Sequence, residues 1–401
     1  MRYAYVHNAV VRNATNPFTF GTLAQDDAFT NRHAEIASLA ADMRNGQDVV
    51  VLAPRRYGKT SLVLRAMQEV SADEVLVAYC DLMRTPTKVR LAAGLAKTIV
   101  DDLLSPVQGL LERAGAVVRG LRVRPTVELD PSDGGVRFSF EAVRGTADID
   151  ATIERLLELP AEIAAERDRR VVLVFDEFQE VVRIDDTLPN VMRSVFQTQR
   201  EVGHVYLGSR RHVLTAIFND RHEPFWRSAK QIELGRMDEN ELGTFVRARF
   251  AEGDRGIDDD ALARLLELTD GHPYATQELA YFTWEAVPLG HAAHARDVEV
   301  ALTSVLRSEH NNLARVWEDA TANERQVLLA LHEEPGGSLY AEAYRRRHGL
   351  PAQASVQRAV AALTRDDIVE RAADGSWAIA EPFLDEWLDR GVDGKRPGGG
   401  A

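Results

Sequence analysis

VVVLAPRRYGKTSLVLRAM, residues 49–67, passes from a short aliphatic run through a basic, glycine-containing turn into a second apolar stretch of different period. The first run, rich in valine, is too short for a helix and reads as a buried strand. The second carries its apolar residues at helical spacing from Lys59 onward. Strand, turn and helix in that order, with Gly58, Lys59 and Thr60 at the junction, form the context that a phosphate-binding loop requires. The turn Pro54, Arg55, Arg56, Tyr57 and Gly58 would wrap the phosphates, with Arg55 and Arg56 at its mouth. Backbone N–H groups of the turn and of the helix start, at Lys59, Thr60 and Ser61, would point at them, where the helix dipole also favours anions. Lys59 would reach the β- and γ-phosphates of ATP, and Thr60 would offer its hydroxyl to Mg²⁺. The pattern G-x-x-x-x-G-K-[ST] is met except at its first position, which holds Ala53. If that position needs a positive φ, alanine costs about 1 kcal/mol there. An ordinary basic loop after a strand is the competing reading of these eight residues.

Short apolar runs recur at 75–80, 171–175, 204–207 and 231–234, with helical-period segments between them. Strands alternating with helices imply parallel pairing through crossovers, hence an α/β sheet covered on both faces. In RRVVLVFDEFQEV, residues 169–181, Asp176 and Glu177 follow five apolar residues at the C-terminal end of a strand, the edge where open α/β sheets bind ligands. Asp176 can hold Mg²⁺ through water while Glu177 polarises the attacking water. The bland alternative makes the acidic pair an N-cap for the next helix. One segment breaks the rhythm: residues 121–141 alternate around a Pro/Asp/Gly turn and read as an inserted β-hairpin.

Beyond residue 234 helices take over, with Asp238 and Glu241 at capping-box spacing. The last 80 or so residues read as three short helices and a β-ribbon across Asp374 and Gly375, the layout of a winged helix-turn-helix. The expected organisation is a P-loop core over 1–236, an α-helical lid over 237–308, a winged helix over 309–391 and a disordered Gly-rich tail over 392–401.

Composition narrows the function. A formal charge of -14 argues against a broad basic surface for nucleic acid. Between residues 319 and 390 there are 8 Lys/Arg against 13 Asp/Glu, so Arg345, Arg346, Arg347, His348, Arg358 and Arg365 would have to meet DNA from an acidic module. Cys80 is the single cysteine, which excludes a disulfide framework within the chain. No run approaches the roughly 18 apolar residues of a membrane span, and the start lacks a signal-like apolar core. A cytoplasmic setting without membrane partners is the default expectation.

The strings NPFTFG, FTNRHAEI, PRRYGKTSL, VFDEFQEV, LGSRRHVL and GHPY occur in an order that resembles the archaeal-type ATPases of the STAND branch of P-loop proteins, relatives of the AAA+ origin-recognition initiators. The resemblance covers roughly residues 16–290, and the terminal winged helix also resembles family members. It implies a polar sensor of the γ-phosphate at the end of the fourth core strand, where Ser209 stands, and an arginine able to approach a nucleotide in cis or from a neighbour, where Arg227 stands. It also implies a lid contact to base or ribose near His272. Each has a plainer reading: Ser209 as a helix cap, Arg227 as a solvated arginine, and Gly271 and Pro273 as ordinary helix punctuation around His272. The resulting expectation is a Mg²⁺-dependent ATPase working as a nucleotide-controlled switch, with a homo-oligomer left open. The alternative is a nucleotide-stabilised DNA-binding or adaptor protein with little turnover.

Overall fold

The computed structural model describes residues 15–21, 32–70, 74–104, 115, 117, 118, 121, 123, 125–129, 136–140, 146–372 and 375–390. The chain divides into two compact units, one over residues 32–235 and the other over 236–401 together with the N-terminal segment.

The first unit is built on a five-stranded parallel sheet, from β1 (Val49–Leu52), β2 (Val75–Asp81), β5 (Arg170–Asp176), β6 (Val202–Gly208) and β7 (Lys230–Glu233), in the spatial order β2-β5-β6-β1-β7. The strands β3 (Thr126–Leu129) and β4 (Val136–Ser139) form a separate antiparallel hairpin whose Val136 and Phe138 face the core. Its Pro/Asp/Gly turn lies outside the described residues. Every residue of β1 and of β6 is buried, as expected for strands with helices on both faces. The helix His33–Asn45 buries Ile36, Leu39, Ala40 and Met43, and ends where Gly46 turns left-handed at φ 68° and donates to the Asp42 and Met43 carbonyls.

Since β1 lies between β6 and β7, the segments leaving β1, β6 and β5 emerge side by side at one edge of the sheet. Register fixes the order there: Leu52 pairs with Gly208 and Asp81 with Asp176. The same register sends residues that precede a strand to the opposite edge. Cys80 is buried and its thiol is pushed up to about 12, first by burial and then by Asp81 and Asp102, so it is an inert core residue.

The second unit is helical. It runs through Glu239–Glu252, Asp259–Thr269, Pro273–Ala286 and Ala295–Asp319, then Ala322–Glu333, Glu342–Arg347 and Gln353–Arg365. The antiparallel ribbon of Val369–Arg371 and Trp377–Ile379 and the helix Leu384–Arg390 complete the winged-helix portion. Asp238 accepts from the Asn240 and Glu241 amides, capping the first helix. The expected boundary at 308 falls inside the continuous 25-residue helix Ala295–Asp319, and one apolar core joins Leu242 and Trp284 to Val356 and Leu384. Residues 15–21, assigned with the sheet on sequence, pack here. Phe18 meets Phe245 and Phe250 edge-on at 6.2 and 5.4 Å, and Asn16 donates to the Tyr281 carbonyl at 3.1 Å. Asp374 and the tail 392–401 lie outside the described residues. Among the described residues no helix is long and apolar enough to cross a membrane.

Candidate functional site

The loop after β1 carries its left-handed residues at Arg56 (φ 64°) and Gly58 (φ 78°), and Ala53 is not among the positive-φ positions. The missing glycine of the motif therefore imposes no backbone strain. Gly58 is the N-cap of the helix Lys59–Glu69 and has no side chain to cap that terminus, so the first-turn amides face the loop, the arrangement that favours an anion. Arg55 and Arg56 are exposed at the mouth, whereas Tyr57 and Ser61 are buried. Lys59 is 7% exposed and its Nζ donates to the carbonyls of Ala53 at 3.1 Å and Pro54 at 2.7 Å, closing the loop over its own cation.

Thr60 donates its hydroxyl to Asp176 Oδ2 at 3.0 Å, across 116 residues of sequence. The same oxygen accepts the Tyr79 hydroxyl from β2, and Asp176 Oδ1 accepts the Glu177 amide at 2.8 Å. Burial, followed by the charge of Asp176 and the hydrogen bond to it, pushes the Tyr79 hydroxyl well above the usual tyrosine range, so it remains a donor at neutral pH. Asp81 is occupied locally, accepting from the Met83 amide at 3.0 Å and pairing with Arg84 at 3.1 Å.

Glu177 sits in a left-handed conformation at φ 54°, an uncommon backbone state for a non-glycine residue and one that clusters at functional sites. Its Oε2 accepts from the Ser209 hydroxyl at 2.8 Å, from the Ser209 amide at 3.3 Å and from Gln179 Nε2. Gln179 is 3% exposed and fits only because Gly208 has no side chain: a Cβ there would lie 2.0 Å from Gln179 Oε1. The structure thus brings together Lys59, Thr60, Asp176, Glu177 and Ser209. Two supporting residues, Tyr79 and Gln179, were not assigned from sequence. The signal for Tyr79 was a polar aromatic inside the aliphatic run VLVAYC, two residues before Asp81 on the same face.

Within the first unit, one expected residue is not brought to this edge. Arg227 precedes β7, whose Lys230 pairs with Val49 at the start of β1, so it lies at the opposite edge of the sheet, beyond a strand length of about 10 Å or more. There it lines a cavity of about 460 Å³ with Asp42, Asn45 and Lys230, and its guanidinium lies 5.1 Å from the ring centroid of half-exposed Trp226. In its own chain Arg227 is therefore not placed to touch a phosphate at the loop. His272 belongs to the helical unit, is 3% exposed, and spends Nδ1 as acceptor for the Ala275 amide at 3.3 Å, capping the helix Pro273–Ala286.

The donor set fits Mg²⁺. A hydroxyl and a carboxylate oxygen 3.0 Å apart are hard oxygen ligands, and Mg²⁺ takes few protein ligands, leaving other positions to water and phosphate oxygens. Among the described residues no group of three or more His, Cys, Asp and Glu side chains forms a self-sufficient metal cage.

A family profile described as an ATPase domain predominantly from Archaea matches residues 29–279, and a probable winged helix domain matches residues 312–390. None of the curated proteins matches the sequence. Among solved structures, a Walker-type ATPase of Pyrococcus abyssi aligns with a TM-score of 0.61 at 14% identity, over 92% of this chain and 99% of that one. The ORC2 protein of Aeropyrum pernix, in its ADPNP–ADP complexes, aligns with a TM-score of 0.51 at 16% identity, over 89% and 93% of the two chains.

Proposed function

Since the chain belongs to the family of ATPase domains found predominantly in Archaea, with a winged helix domain behind, we propose that it is a Mg²⁺-dependent ATP hydrolase working as a nucleotide-controlled switch. The observation that carries the reading is the contact of Thr60 with Asp176 beside Lys59, with Glu177 and Ser209 on the adjoining strand ends. In this proposal the loop amides and Lys59 hold the β- and γ-phosphates, and Thr60 and Asp176 hold the metal, which neutralises phosphate charge when bound. Glu177 takes a proton from the water that attacks the γ-phosphorus, and the bond from that phosphorus to the bridging oxygen breaks to leave ADP and phosphate. Asp176→Asn is expected to lower the Mg²⁺ response of ATP binding about 10- to 100-fold, because a neutral amide orients metal-bound water poorly. Titrating ATP with and without Mg²⁺ measures this. An unchanged Mg²⁺ response would remove Asp176 from the metal site.

For the winged helix, an adaptor role in protein docking is favoured over DNA contact by what its basic residues touch. Arg346 pairs with Glu342 at 2.6 Å and Arg347 with Glu334 at 2.9 Å, and His348 lies between Glu333 and Glu334 at 3.0 and 2.8 Å. Arg365 pairs with Asp366 at 3.3 Å, and Arg345 is bonded to the Tyr340 and Pro351 carbonyls. Arg346, Arg347 and Arg365 would each give up a carboxylate partner to neutralise a DNA phosphate, which reduces the gain from counterion release. Duplex DNA is expected to bind no more tightly than nonspecific affinity near physiological salt, about 10⁻⁴ to 10⁻⁶ M, by fluorescence anisotropy. Tighter, salt-sensitive binding that disappears on reversing Arg346 and Arg358 to Glu would overturn this. A role for Arg227 at a nucleotide requires a second copy of the chain, and turnover would then rise with protein concentration at fixed ATP.

A further inference from the structure

Tyr79 is held from two sides. It stands on β2, the edge strand of the sheet, where backbone groups on the outer side have no neighbouring strand to bond. Its amide donates instead to Asp102 Oδ2 at 3.0 Å, and its carbonyl accepts from the Thr98 hydroxyl at 3.4 Å. Asp102 is delivered by a π-helical turn over Ile99–Leu103, a rare backbone form that is frequent at functional sites. With its backbone fixed on that side, Tyr79 donates its hydroxyl to Asp176 Oδ2 at the end of the adjacent β5.

That oxygen carries two donors, the Thr60 hydroxyl at 3.0 Å and the Tyr79 hydroxyl, while Asp176 Oδ1 accepts the Glu177 amide at 2.8 Å. An ionised carboxylate offers about four lone-pair sites over its two oxygens, so Asp176 has about one left, on Oδ1. A carboxylate so occupied cannot grip a cation with both oxygens and meets it best through an intervening water. The two common divalent ions differ in this respect. Mg²⁺ keeps several of its waters, whereas Ca²⁺ takes roughly six to eight oxygen ligands and binds carboxylates directly, with one oxygen or both.

We propose that Tyr79 is a positioning residue that sets metal selectivity: by occupying Asp176 Oδ2 it commits the carboxylate to water-mediated contact and so favours Mg²⁺ over Ca²⁺ beside a bound nucleotide. This rests on the ATPase reading and deepens it by naming the residue that discriminates between the ions. Tyr79 acts through Asp176. Removing its hydroxyl frees a lone pair on Oδ2 and loosens the carboxylate, which weakens a contact made through oriented water and favours one made directly.

The test is equilibrium binding of ADP to the full-length protein with divalent ions chelated, with saturating Mg²⁺ and with saturating Ca²⁺, for the unmodified chain and for Tyr79→Phe. The readout is the gain in ADP affinity that each ion brings. Phenylalanine keeps the ring and the backbone bonds to Asp102 and Thr98 and removes only the donor to Asp176. The gain from Mg²⁺ divided by the gain from Ca²⁺ is expected to fall about 10- to 100-fold, the scale for losing an outer-shell partner of a metal site, with metal-free ADP affinity unchanged. Tyr79→Met, which also lacks the hydroxyl and adapts to the space, serves if the phenylalanine variant does not fold. An unchanged ratio, including equal losses for both ions, would overturn the selectivity role, and so would a loss of metal-free affinity that accounts for the whole effect. Failure of the unmodified protein to bind ADP under all three conditions would instead overturn the ATPase reading itself.

Discussion

Lys59→Ala is expected to reduce ATP affinity on the order of 100-fold or more, the scale for truncating one partner of a buried, hydrogen-bonded charge pair. Lys59 is the cation at the centre of the loop and is 7% exposed, so a phosphate that reached it would meet it largely shielded from water. The variant also loses the two bonds from Nζ to the Ala53 and Pro54 carbonyls, which should lower stability by about 1–3 kcal/mol. The two effects separate cleanly, because a melting curve reports the second and isothermal titration of the folded variant reports the first. Unaltered ATP affinity in a folded Lys59→Ala protein would mean that the loop after β1 does not hold the phosphates.

Glu177→Gln should bind MgATP about as well as the unmodified protein and lose turnover about 10²- to 10⁴-fold, the usual contribution of a positioned general base. The amide is nearly isosteric, and its oxygen can still accept from the Ser209 hydroxyl, so the local geometry survives while the capacity to take a proton does not. Phosphate release at saturating ATP is the measurement. Turnover at the parental rate would show that another group activates the water.

Much of this site was legible from local chemistry. The run at 49–52 was too short and too rich in valine to be a helix, and it is β1 residue for residue. The acidic pair after the apolar run 171–175 lands at the end of β5, where a strand of that length has to deliver it. Other features depended on long-range register. Tyr79 reaches Asp176 across 97 residues, and only the pairing of β2 with β5 brings them together. Gln179 stood in a string quoted for resemblance, but its role follows from Gly208, whose missing Cβ opens the space it fills. Arg227 is the reverse case. In a parallel sheet a residue just before a strand lies at the edge away from the loops that follow the strands, so its place opposite the phosphate loop was implicit in the topology. The boundary expected near residue 308 lies inside the helix Ala295–Asp319. A lid and a winged helix with distinct local patterns share one core through a single long helix, and periodicity within each segment carries no information about that sharing.

The most direct test of the central claim is phosphate release from ATP by the purified, unmodified chain, followed over time with Mg²⁺ and with Mg²⁺ chelated. A site formed by Lys59, Thr60, Asp176 and Glu177 predicts release of phosphate that requires the metal and leaves ADP as the other product. Absence of release under both conditions, in a protein shown to be folded and to bind ATP, would contradict it.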